Sequence, residues 1–266
     1  MFEGAIIGQY VPGESMVHRL DPRTKLILTI IMMTVVFMAS SGWGLALSVG
    51  VIFFLIWLTG IPLSIYLRGI RSFRILIIIT FGFQLFLVPG EPLLQWNFIH
   101  ISREGLTLGG LMALRLVVVL LLAQFLTFTT SPMALIDGIE KLLSPLNKVG
   151  VPAHEMAMVM SIALRFIPIF FMEADRIIRA QVSRGADFES GNVITRLKPL
   201  TSIIAPLFIK AFQRADDLAL AMEARGYQGG EGRTRLREIR LRRLDLLFLS
   251  TGLMVALGIR LIEVYV

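Results

Sequence analysis

From Leu26 to Leu67 the sequence contains no charged side chain. A helix needs ~20 predominantly apolar residues to cross the hydrocarbon core of a bilayer. The run is long enough for two such crossings and breaks in its middle at "SSGWG", Ser40 to Gly44. It therefore reads as a helical hairpin of two membrane spans. Three further spans are expected at Ile75 to Pro89, Leu106 to Thr130 (interrupted by Arg115) and Leu244 to Val264, five in all. Composition agrees: 55% of the 266 residues are hydrophobic and 17% charged, with mean hydropathy +0.75. A soluble domain of that length needs a polar coat that this chain cannot supply.

Basic residues set the orientation. Arg19, Arg23 and Lys25 precede the first span, and Arg68, Arg71 and Arg74 follow the second. The turn between those spans has none, and the loop from Gly90 to Glu104 sets Arg103 against Glu91 and Glu104. The stretch from Ser131 to Arg243 holds seventeen Lys and Arg. The alternation predicts a cytoplasmic N-terminus, a cytoplasmic long segment and an external C-terminus. The pI of about 10.2 then reflects positive-inside bias, and no motif of basic residues interleaved with aromatics points to nucleic acid. The expected fold is an all-α membrane protein with about five transmembrane helices and three cytoplasmic amphipathic or coupling helices. Its expected divisions are 1–130 with four spans, 131–243 as the coupling segment and 244–266 as the last span.

Within the coupling segment the pattern becomes amphipathic. Ser131 is placed to cap a helix with Pro132 at its first position. Leu135, Ile136, Ile139, Leu142 and Leu143 then share one face. A turn is expected at Val149 to Pro152. Two long helices should follow, about His154 to Gly185 and about Lys198 to Gly226, with Pro168 and Pro206 in their apolar parts.

These helices end alike, in "AQVSRGADFE" and "AMEARGYQGG". At an offset of forty-one residues Phe171 matches Phe212, Asp175 matches Asp216, Arg184 matches Arg225 and Gly185 matches Gly226. One Arg-Gly pair is an ordinary helix ending, since glycine caps helices and arginine complements the dipole. Capping alone does not require the whole ending to be repeated. Two matched tips read as two anchors, each a planar guanidinium for a partner's pocket.

Chemistry of other kinds is missing from the motifs. There is no cysteine, and His18, His100 and His154 stand apart without ligand spacing. No G-x-x-x-x-G-K-[ST] loop and no G-x-S-x-G elbow occurs. Catalytic residues, metal ligands and cofactors are not expected. Asp216-Asp217 reads as a solvated or ion-paired helix face. Arg115, with Gln84 and Gln124 as weaker relatives, is the intramembrane polar group that a stand-alone secondary transporter would use. The simpler reading has Arg115 pairing with a polar group on a neighbouring helix. An intramembrane enzyme is a third class, disfavoured by the missing constellations. Met156, Met158, Met160 and Met172 are core packing or an adaptable docking surface.

Four stretches together resemble one family. They are "GQYVPGESMVHRLDPRTKL" from Gly8, "TSPMALIDGIEKLLSPLNKVGVP" from Thr130, "MSIALRFIPIFFMEADRIIRAQVSRGADFESGN" from Met160 and "RADDLALAMEARGYQGGEGRTRLR" from Arg214. The chain resembles the transmembrane T component of energy-coupling factor transporters, prokaryotic importers of vitamins and metals. The resemblance implies a non-catalytic subunit of the prokaryotic cell membrane. Two ATP-binding-cassette ATPases would be held through the helix tips, and a small membrane S component would bind substrate. It implies ATPase-binding roles for Ser183, Arg184, Gly185, Ala224, Arg225 and Gly226. The family's first tip usually reads Ala-Arg-Gly, where this chain has Ser183-Arg184-Gly185. Met156, Met160, Phe166 and Phe170 become the expected S-component contacts. Nothing in the sequence names the cargo.

Overall fold

The computed structural model describes residues 10–39, 41–96, 99–186, 193–229 and 241–265. The chain divides into two units, residues 140–237 and residues 6–139 with 238–266.

The second of these is the apolar helical unit. Helix α1, Pro22–Met38, starts where Asp21 Oδ1 accepts from Arg23 N at 2.9 Å and Pro22 occupies the first turn. Helix α2, Gly42–Thr59, is capped by Ser41, whose Oγ accepts from Gly44 N at 3.2 Å. The expected break at Ser40 to Gly44 is thus a capped helix start. The expected second span ends early, because Gly60 turns left-handed at φ 69° and Pro62 follows it. Helix α3, Leu63–Ser72, carries Leu63, Tyr66, Leu67 and Ile70 on one face and Arg68 and Arg71 elsewhere. Helix α4, Arg74–Leu87, leaves α3 at a bend of 62°. A short antiparallel hairpin that the sequence reading did not foresee comes next, β1 Pro92–Trp96 and β2 Ile99–Ser102.

Helix α5, Arg103–Thr129, is capped by Ser102 and packs against each of α1 to α4. Its Val118, Leu121, Leu122, Phe125 and Phe128 form one core with Met32, Val36, Leu45, Ile52, Ile56 and Tyr66. Gly105 and Gly109, one turn apart, let α4 approach closely. A Cβ at Gly105 would stand 3.0 Å from the Gln84 and Leu85 carbonyl oxygens. By contrast α4 exposes Ile75, Ile78, Phe83, Phe86 and Leu87, a surface suited to lipid rather than water. Helix α6, Pro132–Leu143, starts as expected with Ser131 Oγ accepting from Ala134 N at 3.3 Å. Helix α9, Arg243–Tyr265, completes the unit against α1 and α2.

In the other unit a 3₁₀ turn, Ser144–Val149, and a left-handed Gly150 lead into helix α7, Ala153–Ser183. Helix α8, Val193–Ala224, packs against α7, and both are continuous through their prolines. The observed ends lie within one or two residues of the expected helices, except that α8 starts five residues earlier.

Among the described residues four helices are long and apolar enough to cross a membrane: α2, α5, α7 and α9. The bent pair α3–α4 makes a fifth candidate. The expected first span, α1, reaches only 17 residues. The qualification of α7 was unforeseen, and its cause is local. From Ala153 to Met172 the Asp, Glu, Lys and Arg residues number two, Glu155 and Arg165, so its first five turns are apolar.

Candidate functional site

The two Arg-Gly tips are built by the same hydrogen bonds. At the end of α7, Gly185 N donates to Val182 O at 2.9 Å and Ala186 N to Gln181 O at 3.0 Å. At the end of α8, Gly226 N donates to Glu223 O at 2.8 Å and Tyr227 N to Met222 O at 3.0 Å. Each pair is the Schellman closure, and each needs its glycine left-handed, at φ 87° and 72°. All four bonds superpose at the forty-one-residue offset seen in the sequence. Closure spends the glycine on the backbone and leaves the preceding arginine side chain outside the turn. Arg184 and Arg225 are exposed, and among the described residues neither guanidinium is held by an ion pair. The neighbouring charges are committed instead: Arg179 to Asp175 at 2.6 Å and Arg176 to Glu173 at 3.5 Å.

The two helices meet at matched positions. Ile169, Phe170 and Glu173 of α7 face Lys210, Gln213, Arg214 and Asp217 of α8 around a shallow polar hollow, and Lys210 pairs with Glu173 there. Under the forty-one-residue offset, Ile169 corresponds to Lys210 and Glu173 to Arg214. From Glu173 to Arg184 and from Arg214 to Arg225 are equal stretches of helix, ~16 Å each at the helical rise. The crossing therefore carries two arms of equal length, each ending in an identical capped arginine.

Of the expected S-component contacts, Met156 and Met160 are exposed and form a stripe with Val159 and Ala163 at helical spacing. Phe166 and Phe170 differ: they are half-buried, stack edge to face with centroids 5.9 Å apart, and Phe170 helps line the crossing. On α8 Ile204, Phe208 and Phe212 are exposed one turn apart.

The polar groups inside the helical unit lie against neighbouring helices. Arg115 donates to Ala39 O and, at 3.4 Å, to Met112 Sδ. Arg260 donates to Met38 O at 3.4 Å and pairs with Glu263 at 3.3 Å. The two arginines thus satisfy carbonyls at the end of α1, which has no glycine cap. Gln124 lies against Gly69, where a Cβ would stand 2.5 Å from its Oε1.

A polar knot that the sequence reading did not assemble ties three segments together. Asp245 accepts from Asp21 N and Arg242 N, both at 2.7 Å, and is 1% exposed. Buried Lys25 donates to Thr129 O at 2.8 Å and His18 O at 3.3 Å, and Val11 N donates to Phe128 O at 3.0 Å. His18 Nε2 donates to Val11 O at 3.1 Å, since a carbonyl can only accept, and Nδ1 accepts from Ser15 Oγ at 2.7 Å. Burial, with a smaller contribution from Lys25, pushes the His18 pKa below its usual 6.5, against the Val11 hydrogen bond, which raises it. The available signal was local: the Asp21-Pro22 pair starts a helix before the apolar run begins.

Comparison with known proteins places the chain among transporters. Residues 13–236 match the CbiQ family, described as "Cobalt transport protein". A protein of Acidaminococcus fermentans is 51% identical over 95% of this chain and 93% of its own length. One from Thermosediminibacter oceani is 49% identical over 93% and 94%, and one from Bacillus subtilis 44% identical over 90% and 91%. Each is named "Energy-coupling factor transporter transmembrane protein EcfT".

Proposed function

We propose that the chain, which belongs to the CbiQ family of transport proteins and is the transmembrane T component of an energy-coupling factor transporter, links two ATP-hydrolysing subunits to a small substrate-binding membrane protein. One observation carries the reading. Two arms of equal length leave one crossing, and each ends in the same Schellman closure with an exposed, uncommitted arginine. Two equivalent plugs suit two similar sockets. An arginine presented this way pairs with a carboxylate or backbone oxygens through its planar fork. ATP-driven closure of the two ATPases would move both tips together, and the α7–α8 crossing would carry that motion to the membrane partner. Exposed Met156, Val159 and Met160 supply an adaptable apolar strip for that partner, with Phe166 and Phe170 stiffening the helix behind it.

The basic residues favour an orientation with the N-terminus and both tips on the cytoplasmic side of a prokaryotic cell membrane. Cargo recognition is assigned to the small partner, so a vitamin or a metal ion fits the same T component. Use of Arg115 as a transport residue is disfavoured, because its guanidinium is engaged at the end of α1.

The test is capture of the ATPase subunits from detergent extracts of cells that make the whole complex. Replacing Arg184→Glu together with Arg225→Glu is expected to abolish capture while the chain still inserts and runs as a single species on a sizing column. Full capture with sustained uptake in the double variant would remove the anchor role.

A further inference from the structure

Helices α2 and α9 are joined at one end and splayed at the other. Where α2 begins and α9 ends, Glu263 Oε1 accepts from Ser41 N at 3.1 Å, and Gly44 is small enough for the Glu263 side chain to lie against it. Toward the end of α2 and the start of α9 the two separate. A groove of about 320 Å³ opens between them, with α1 and α5 as its floor. Its walls are nearly all hydrocarbon, among them Leu28, Met32, Leu55, Phe125 and Phe248. Phe54, Thr251 and Val255 stand exposed along its open side, which faces the surroundings of the helical unit. The exception to the apolar lining lies at the splayed end, where Lys25 reaches it. An ammonium has three donors, and two of Lys25's are used, on Thr129 O and His18 O. Exposed Arg19, Arg242 and Arg243 belong to the same end of the helices.

We propose that this groove holds one acyl chain of an anionic phospholipid, with the headgroup at the basic end beside Arg242 and Arg243. A side chain-bearing helix is ~10 Å across, so 320 Å³ would take up only about three residues of one. An extended hydrocarbon chain needs no such width. An apolar slot open to the bilayer cannot stay empty of lipid, and the exposed Arg242 and Arg243 at its basic end select the charge of the headgroup. The stack of Phe54 on Trp57, centroids 6.2 Å apart, puts an indole at the lip, where amphipathic rings settle at headgroup level. Placement of this basic end in the cytoplasmic leaflet rests on the orientation proposed above; the site itself does not.

The experiment uses the full chain in nanodiscs of phosphatidylcholine containing phosphatidylglycerol, with matched acyl chains. Lipid retained after transfer to detergent is counted by native mass spectrometry. Wild type is expected to retain one phosphatidylglycerol in preference to phosphatidylcholine. Removing Arg242 and Arg243 as Arg242→Gln and Arg243→Gln should lower that preference by about fivefold per charge. Filling the groove with Val51→Phe and Val255→Phe should remove retention of both lipids. Circular dichroism and a sizing column check that each variant is folded, and the exposed arginine pair keeps the test open should the groove variant misfold. Equal retention of the two lipids by wild type would overturn the proposal. So would a folded groove variant that keeps its lipid but no longer captures the small membrane partner. Because the nanodisc is symmetric, an orientation opposite to the one proposed would leave the retention result unchanged.

Discussion

At the residue scale, the tips divide labour between neighbours. Gly185 and Gly226 absorb the left-handed backbone, with no atom within 4 Å of where a Cβ would lie, so their identity is set by conformation and not by crowding. Arg184 and Arg225 are free of that duty, and Ser183 turns its hydroxyl back onto Arg179 O at 3.0 Å. His18 shows the opposite economy, with both ring nitrogens committed to hydrogen bonds. Because its folded pKa lies below the usual 6.5, the unfolded chain binds the extra proton first as pH falls. The stability it contributes is whole above pH 6.5 and is lost as pH drops through the lowered value. Thermal unfolding in detergent should therefore show a fall in stability on acidification below that point, and His18→Gln should flatten it. An unchanged pH profile in His18→Gln would exclude this residue as the cause.

At the element scale, an ion pair of Glu173 with Lys210 joins α7 to α8 in a half-exposed hollow. Such a pair contributes about 0.2–1 kcal/mol, so its loss should leave both helices folded. Its position at the base of both arms makes its geometric effect larger than its energy. Glu173→Lys alone is expected to lower transport-coupled ATP hydrolysis with little change in unfolding temperature. The exchange Glu173→Lys with Lys210→Glu should restore it. Failure of the exchange to recover coupling would assign the effect to other groups in the hollow. None of this pairing was legible in the sequence, because the two residues are thirty-seven positions apart on separate helices. What could be read was local or repeated. The Ser131-Pro132 start, the break before Gly42 and the paired Arg-Gly endings each follow from chemistry within a few residues. The bend at Phe73 and the 92–102 hairpin escaped notice. The run from Arg68 to Arg74 reads as a basic connection between spans rather than as a short helix meeting the next at 62°, and a five-residue strand has no period to display. Arg115 was legible as a buried charge but not as a cap, since its acceptor is a carbonyl seventy-six residues away.

At the scale of the whole molecule, residues 140–237 fall in one unit, and the chain passes between it and the helical unit at 139/140 and again at 237/238. These two covalent tethers are one route by which motion of residues 140–237 can reach the helical unit. The second tether enters α9, and there the helical unit has its densest polar knot. Asp245 holds the start of α1 with a buried backbone bond and the start of α9 with a part-buried one, and with Asp21 it offsets the Lys25 charge. Asp245→Ala would orphan two backbone donors, each worth about 1–3 kcal/mol when buried. Asp245→Asn retains a carbonyl for one of them. The knot lies outside residues 140–237, so capture of the ATPases by Asp245→Ala should match wild type. Substrate uptake per captured complex, measured in proteoliposomes of the full transporter, should fall, and Asp245→Asn should recover part of it. If instead Asp245→Ala leaves uptake per complex intact while the unfolding temperature drops, the knot holds the fold together without passing on the stroke. Coupling would then be carried through the entry at α6.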